Sequence, residues 1–137
     1  MEKKIYTVDI EGKTLTATFT NLTNQAHGSV LMSQGETVVL VTAVMNKNTA
    51  TGMGYFPLSV EFEERFYATG QILGSRFQRR EGRPSEGAVL SARIVDRTIR
   101  PLFNQALRNE IQVIITVLSA GEDDPDVLGV IGASLAL

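Results

Sequence analysis

All nine arginines of this 137-residue chain fall between Arg65 and Arg108, and all four lysines fall outside that window. Inside it the acids are Glu81, Glu86 and Asp96, so nine positive charges against three negative leave +6. Elsewhere four lysines face twelve acids, leaving -8, and the two parts sum to the whole-chain charge of -2. Arginine presents a planar fork that grips phosphate at two points, and its guanidinium stacks on bases. A local basic field on an acidic body suits a polyanion met at one place only. The competing account is structural, with individual arginines paired to nearby carboxylates.

The densest part of the window is Arg76-Phe77-Gln78-Arg79-Arg80-Glu81-Gly82-Arg83, four arginines and one aromatic within eight residues. Arginines so placed can neutralise successive phosphates, and a loop phenylalanine offers a stacking face worth about 1–3 kcal/mol per base. The alternative is a solvated basic loop with Phe77 tucked into the core. Further on, Arg93, Arg97 and Arg100 are spaced i, i+4, i+7 and share one face of a helix. Like charges stacked this way need an anion or a carboxylate between them. Asp96, one turn from both Arg93 and Arg100, is the carboxylate at hand.

Other chemistry is poorly supported. Without cysteine there is no disulfide framework, thiolate nucleophile or thiolate zinc site. Glu122, Asp123, Asp124 and Asp126 lack the calcium-loop spacing and read as a loop plus helix cap. His27, the sole histidine, has no triad-like context and reads as a strand-edge residue. Gly70–Gly74 lacks the Gly-Lys-Ser/Thr ending of a P-loop. No catalytic residue and no metal ligand is assigned, and what remains is an arginine surface facing RNA or phosphate.

The elements that must carry this surface can be read from the pattern. Lys4–Ile10 and Lys13–Thr20 are strands joined by a Glu11-Gly12 hairpin turn, with Leu15, Ala17 and Phe19 alternating against threonines. Ser29–Ser33 and Thr37–Met45 form a second hairpin around Gln34-Gly35-Glu36. Val38-Val39-Leu40-Val41 is apolar on both faces, which predicts a central strand. Asn46–Gly54 reads as a loop, Phe56–Phe66 as a strand with Leu58, Val60 and Phe62 on one face, and Ala68–Arg83 as a long exposed loop. Pro84 and Ser85 open a helix with Glu86 in its first turn. Its buried stripe is Ala88, Ala92, Val95, Ile99 and Leu102, and Pro101 ends or kinks it near Arg100. Glu110–Leu118 is a β-branched strand, Gly121–Pro125 an acidic loop, and Asp126–Leu137 a second, apolar helix.

At 43% hydrophobic and 20% charged residues the chain is an ordinary globular one, neither disordered nor fibrous. Its start, MEKKIYTVDI, has no signal-peptide core, and no run reaches the roughly 18 apolar residues of a membrane span. These features predict a soluble, cytoplasmic protein with no membrane partner. The last residues are strongly apolar and stop without a cap, which predicts a fragment or a core completed by further sequence.

The arginine window also carries a resemblance. VVLVTAV, EFEERFYATG, RREGRPSE, ARIVDRTIRPLF and NEIQVIITVLS…DPDVLGVIGASLAL closely resemble the first RNase PH-like domain of the polynucleotide phosphorylase family, from about Thr14 onward. That resemblance implies an α+β, RNase PH-like fold of the ribosomal protein domain 2-like β-α-β kind, a mostly antiparallel sheet packed on helices. Residues 1–137 would be the first such domain, incomplete at the C-terminal end. The family grips single-stranded RNA with a paired-aromatic, paired-arginine loop at the channel of a ring. Here the loop reads Arg76-Phe77-Gln78-Arg79-Arg80, without two adjacent phenylalanines and one residue longer. The resemblance therefore assigns RNA binding to Phe77, Arg79, Arg80, Arg83, Arg93 and Arg97.

It further implies a homotrimeric polyribonucleotide nucleotidyltransferase that degrades single-stranded mRNA from the 3′ end, with inorganic phosphate as co-substrate and nucleoside diphosphates as products. Mg²⁺ and phosphate would be held in a second domain, and RNA-degradation complexes would supply further partners. This stretch would be the RNA-binding, non-catalytic first half, inactive alone. Two alternatives stand beside it: a stand-alone phosphorolytic subunit of the RNase PH or exosome type, and a non-enzymatic RNA-binding ring module.

Overall fold

The computed structural model describes residues 3–49, 52, 54–74, 77 and 81–137. Six strands and two α-helices are present among them: β1 (Lys4–Ile10), β2 (Lys13–Phe19), β3 (Gly28–Gln34), β4 (Thr37–Thr49), β5 (Leu58–Glu63), α1 (Glu86–Ile99), β6 (Asn109–Ser119) and α2 (Pro125–Ala136). Short 3₁₀ turns at Phe66–Thr69 and Arg100–Leu102 complete the order.

The strands form one mixed sheet in the order β1-β2-β3-β4-β6-β5, antiparallel throughout except for the parallel β5–β6 pair. Local chemistry explains the hairpins. Glu11 and Gly12 both take positive φ, 51° and 82°, as a two-residue turn matched to strand twist requires. In the second hairpin Gln34 pairs with Thr37, and Gly35 supplies the positive φ of 56°. Parallel strands need a long crossover, and α1 provides it between β5 and β6. The Val38–Val41 run lies between β3 and β6, so its central position is borne out.

Both helices pack against the sheet and against each other. The core between the layers holds Val30, Met32, Val39, Val41, Val113, Ile115, Val95, Ile99 and Leu128, all at most 2% exposed. α2 lies close to the sheet because its inner face is small. A Cβ on Gly132 would stand 2.6 Å from Val41 Cγ2, and one on Gly28 would stand 1.8 Å from the Ala136 carbonyl oxygen.

Three expectations need correction. Asn46–Thr49 is not loop but the end of β4: Thr49 pairs with Asn109 beyond a bulge, and Asn109 Nδ2 donates to the carbonyls of Asn46 and Lys47 at 3.1 and 3.4 Å. Its polar composition reflects a strand that runs out past the core. The strand after Phe56 is shorter than expected, Leu58–Glu63, and Phe66 instead begins a 3₁₀ turn ended by Gly70 at φ 71°. Leu102 does not join the α1 stripe and is 78% exposed. Pro101 breaks the helical spacing there, and Phe103 packs on Phe56 instead, ring centroids 5.1 Å apart.

Candidate nucleic-acid interface

The arginines of the window divide by what they touch. Arg65, at the end of β5, pairs with Glu63 and places Nη1 3.3 Å from Glu81 Oε2. Arg100 sets Nε 2.9 Å and Nη2 2.5 Å from the two oxygens of Asp96, and donates to the carbonyls of Phe56 and Leu58 at 3.2 and 3.0 Å. Asp96 raises the affinity of that guanidinium for its proton, and burial opposes it. Arg108 donates to the carbonyls of Gln105 and Leu107 at 2.7 and 2.9 Å. Arg65 and Arg100 tie separate parts of the fold together, and Arg108 braces the turn before it.

Arg83, Arg93 and Arg97 are different. All three are exposed, and among the described residues none has a carboxylate or other hydrogen-bond partner. Asp96, the carboxylate expected to neutralise the helix face, is committed to Arg100. Arg93 and Arg97, one turn apart, thus leave an uncompensated cationic pair on the outer side of α1. Such a pair is unfavourable alone and favourable beside an anion. Leu90 and Ile94, 62% and 51% exposed, stand in the same turns, so apolar surface interleaves with the cationic heads.

Arg83 is set by its neighbours. Two residues before it, Glu81 accepts from Phe66 N–H at 2.9 Å and from Arg65. Two residues after it, Ser85 caps α1, accepting from Ala88 N–H at 3.0 Å and donating to Glu64 Oε2 at 2.7 Å. The backbone that carries Arg83 is therefore pinned on both sides. Phe77 is 86% exposed, so it is not tucked into the core. Arg79 and Arg80 lie outside the described residues. Arg65 and Glu81 were not singled out by sequence reading, although a lone acid inside a run of arginines was a usable signal.

Several of the described carboxylates already have partners. Glu63 is taken by Arg65 and Thr116, Asp96 by Arg100, and Asp123 by Lys13. Asp124 caps α2 through Asp126 N–H at 2.9 Å, bearing out the loop-and-cap reading. No cluster of three or more histidines and carboxylates among the described residues is arranged around a common point. His27, at the edge of β3, accepts from Met45 N–H through Nδ1 at 3.0 Å. No helix among the described residues is long and apolar enough to cross a membrane.

A mixed sheet under two helices, with an arginine-bearing crossover helix between its parallel strands, matches known proteins. Residues 11–137 match the model of the 3′ exoribonuclease family, domain 1 (RNase PH), and the chain belongs to that family. Among curated relatives, it is 51% identical over 135 residues to the polyribonucleotide nucleotidyltransferase of Heliobacterium modesticaldum, covering 98% of this chain and 19% of that protein. It is 55% identical over 131 residues to the protein of the same name from Thermomicrobium roseum, covering 95% of this chain and 16% of that one. The chain thus spans less than a fifth of the length of these relatives. In fold it is similar to a chain of the Archaeoglobus fulgidus exosome solved with RNA bound to the active site, at a TM-score of 0.63 and 21% identity, covering 98% of this chain and 50% of that chain. Rice (Oryza sativa) Rrp46 is similar at a TM-score of 0.66 and 16% identity, covering 89% of this chain and 53% of that chain.

Proposed function

We propose that this chain is the RNA-guiding, non-catalytic part of a 3′-to-5′ phosphorolytic exoribonuclease, lying within its first RNase PH-like domain. The carrying observation is that Arg83, Arg93 and Arg97 are exposed without carboxylate partners among the described residues, while Arg65 and Arg100 are neutralised. The resemblance adds Phe77, Arg79 and Arg80 to the residues proposed to meet RNA. The names of the relatives support nucleotidyl transfer as the activity of the whole protein.

In such an enzyme inorganic phosphate attacks the 3′-terminal phosphodiester. The bond from phosphorus to the 3′ oxygen of the penultimate residue breaks, and a nucleoside diphosphate leaves. Positive groups stabilise charge on the transferring phosphoryl centre. On this reading the metal and phosphate sites belong to parts of the enzyme outside this stretch, and no step here is assigned to a metal. The arginines contribute position, holding the strand in line by its phosphates. A homotrimeric ring in the cytoplasm, joined by partners in RNA degradation, completes the proposal.

The test is to incubate the chain with 5′-labelled oligo(A), phosphate and Mg²⁺, measuring binding across salt and length on a gel. Salt-sensitive binding with the oligomer intact supports the assignment. Phosphate-dependent shortening would place an active site within these residues and favour a stand-alone phosphorolytic subunit.

A further inference from the structure

The segment between Phe66 and Glu81 leaves the sheet after β5 and returns at the entrance of α1, and its two ends are clasped by one carboxylate. Glu81 Oε1 accepts from Phe66 N–H at 2.9 Å, and Glu81 Oε2 accepts from Arg65 Nη1 at 3.3 Å. Arg65 is itself anchored. Its Nη2 pairs with Glu63, whose same oxygen accepts from Thr116 Oγ1 at 3.4 Å in β6. The departing end has a second tie, since Ala120 N–H donates to the Ala68 carbonyl at 2.9 Å. Arg65 and Glu81 side chains are 29% and 27% exposed, so solvent screens the clasp only in part.

We infer that Glu81 is a positioning residue, a neck latch that holds Phe66 and Arg65 to the entrance of α1 and so presents Phe77, between them, to single-stranded RNA. The inference rests on the RNA reading proposed above. It gives a role to an acid that stands inside a run of arginines, where its charge alone would repel a phosphate backbone. A two-point acceptor is what joining a backbone N–H to a guanidinium requires. The Phe66 N–H, assisted by Arg65, holds the Glu81 carboxyl below its ordinary range.

The sign of the effect separates this role from simple electrostatics. Glu81→Gln and Glu81→Ala both remove one negative charge next to the basic segment. If Glu81 acts only as a charge, both variants bind oligo(A) more tightly and to the same extent. If it is a latch, both bind more weakly despite their more positive charge, and they differ. Gln keeps an acceptor for Phe66 N–H but turns a donor toward Arg65, whereas Ala loses both contacts. The affinity order expected is wild type, then Glu81→Gln, then Glu81→Ala, the last weaker by about tenfold as Phe66 and Arg65 come away from residue 81.

Amide exchange at Phe66 is read in the same samples, with an increase of about tenfold or more expected for Glu81→Ala as the N–H loses its acceptor. Equal or tighter binding by both variants would overturn the latch. So would unchanged Phe66 exchange. Should the wild type not bind oligo(A) at all, the RNA reading falls. The exchange rate then decides alone whether Glu81 closes the neck.

Discussion

Arg100 lies across Asp96 one helical turn away, joined at two points, and reaches past it to the carbonyls of Phe56 and Leu58. One guanidinium thereby closes the end of α1 onto the strand that begins the crossover. The same contact removes the carboxylate that could have neutralised Arg93, one turn before it. The structural use of one arginine leaves the charge of Arg93, beside that of Arg97, without a partner among the described residues.

Replacing Arg100 should therefore affect stability rather than RNA affinity. Arg100→Ala strands two carbonyls and Asp96, and a loss of about 2 kcal/mol is expected in denaturant melts. Arg100→Lys keeps the charge without the fork and should recover less than half of it. Oligo(A) affinity of the folded variants should stay within about twofold of wild type.

Arg93→Ala combined with Arg97→Ala should do the reverse. Both side chains are exposed without partners among the described residues, so stability should change by less than about 0.5 kcal/mol per site. If each neutralises one phosphate of a single strand, the slope of log affinity against log salt should become shallower by about 1.4. An unchanged slope would remove these two arginines from the interface.

The seating of α2 can be tested by two glycines with opposite signs. Gly132→Ala drives a methyl to 2.6 Å from Val41 Cγ2 in the fully buried core, and a loss of about 1–3 kcal/mol is expected. At Gly129 a Cβ would meet Ile115 and Phe62 at 3.4 Å, an ordinary contact. Gly129→Ala should therefore be neutral or stabilising by up to about 1 kcal/mol, through helix propensity. Thermal melts of the two variants check the contrast.

The latch should also depend on pH. Glu81 titrates lower in the fold than its ordinary value of 4.5, chiefly because Phe66 N–H binds the carboxylate. A carboxyl with a depressed folded pKa contributes stability that is complete above its unfolded value and lost as the pH falls through the folded one. Protection of the Phe66 amide should hold from neutral pH down to about 4.5 and decline only below it, after correction for intrinsic exchange. In Glu81→Gln that decline should be absent.

Much of this architecture is legible in the sequence because its signals are local. Glu11-Gly12 and Gly35 mark turns through the conformations they allow, Ser85 marks a helix start through its cap, and Val38–Val41 marks a central strand through continuous apolarity. What was missed depends on distant partners. The β4 end is polar and becomes strand only against Asn109. Leu102 fits the spacing of a stripe that Pro101 ends. That Asp96 pairs with Arg100 goes with the carbonyls of Phe56 and Leu58, more than forty residues from Arg100 along the chain. Glu81 looked like one acid among arginines until the fold brought Phe66 and Arg65 to it.

The most direct test of the central claim follows the arginine side chains themselves. Nε–Hε resonances of the arginines would be recorded by NMR while oligo(A) is titrated into the chain. Arg83, Arg93 and Arg97 should shift progressively with RNA, and Arg65 and Arg100, already bound to carboxylates, should stay in place. Shifts confined to Arg65 and Arg100, or no shift at Arg83, Arg93 and Arg97 under saturating oligo(A), would contradict the account.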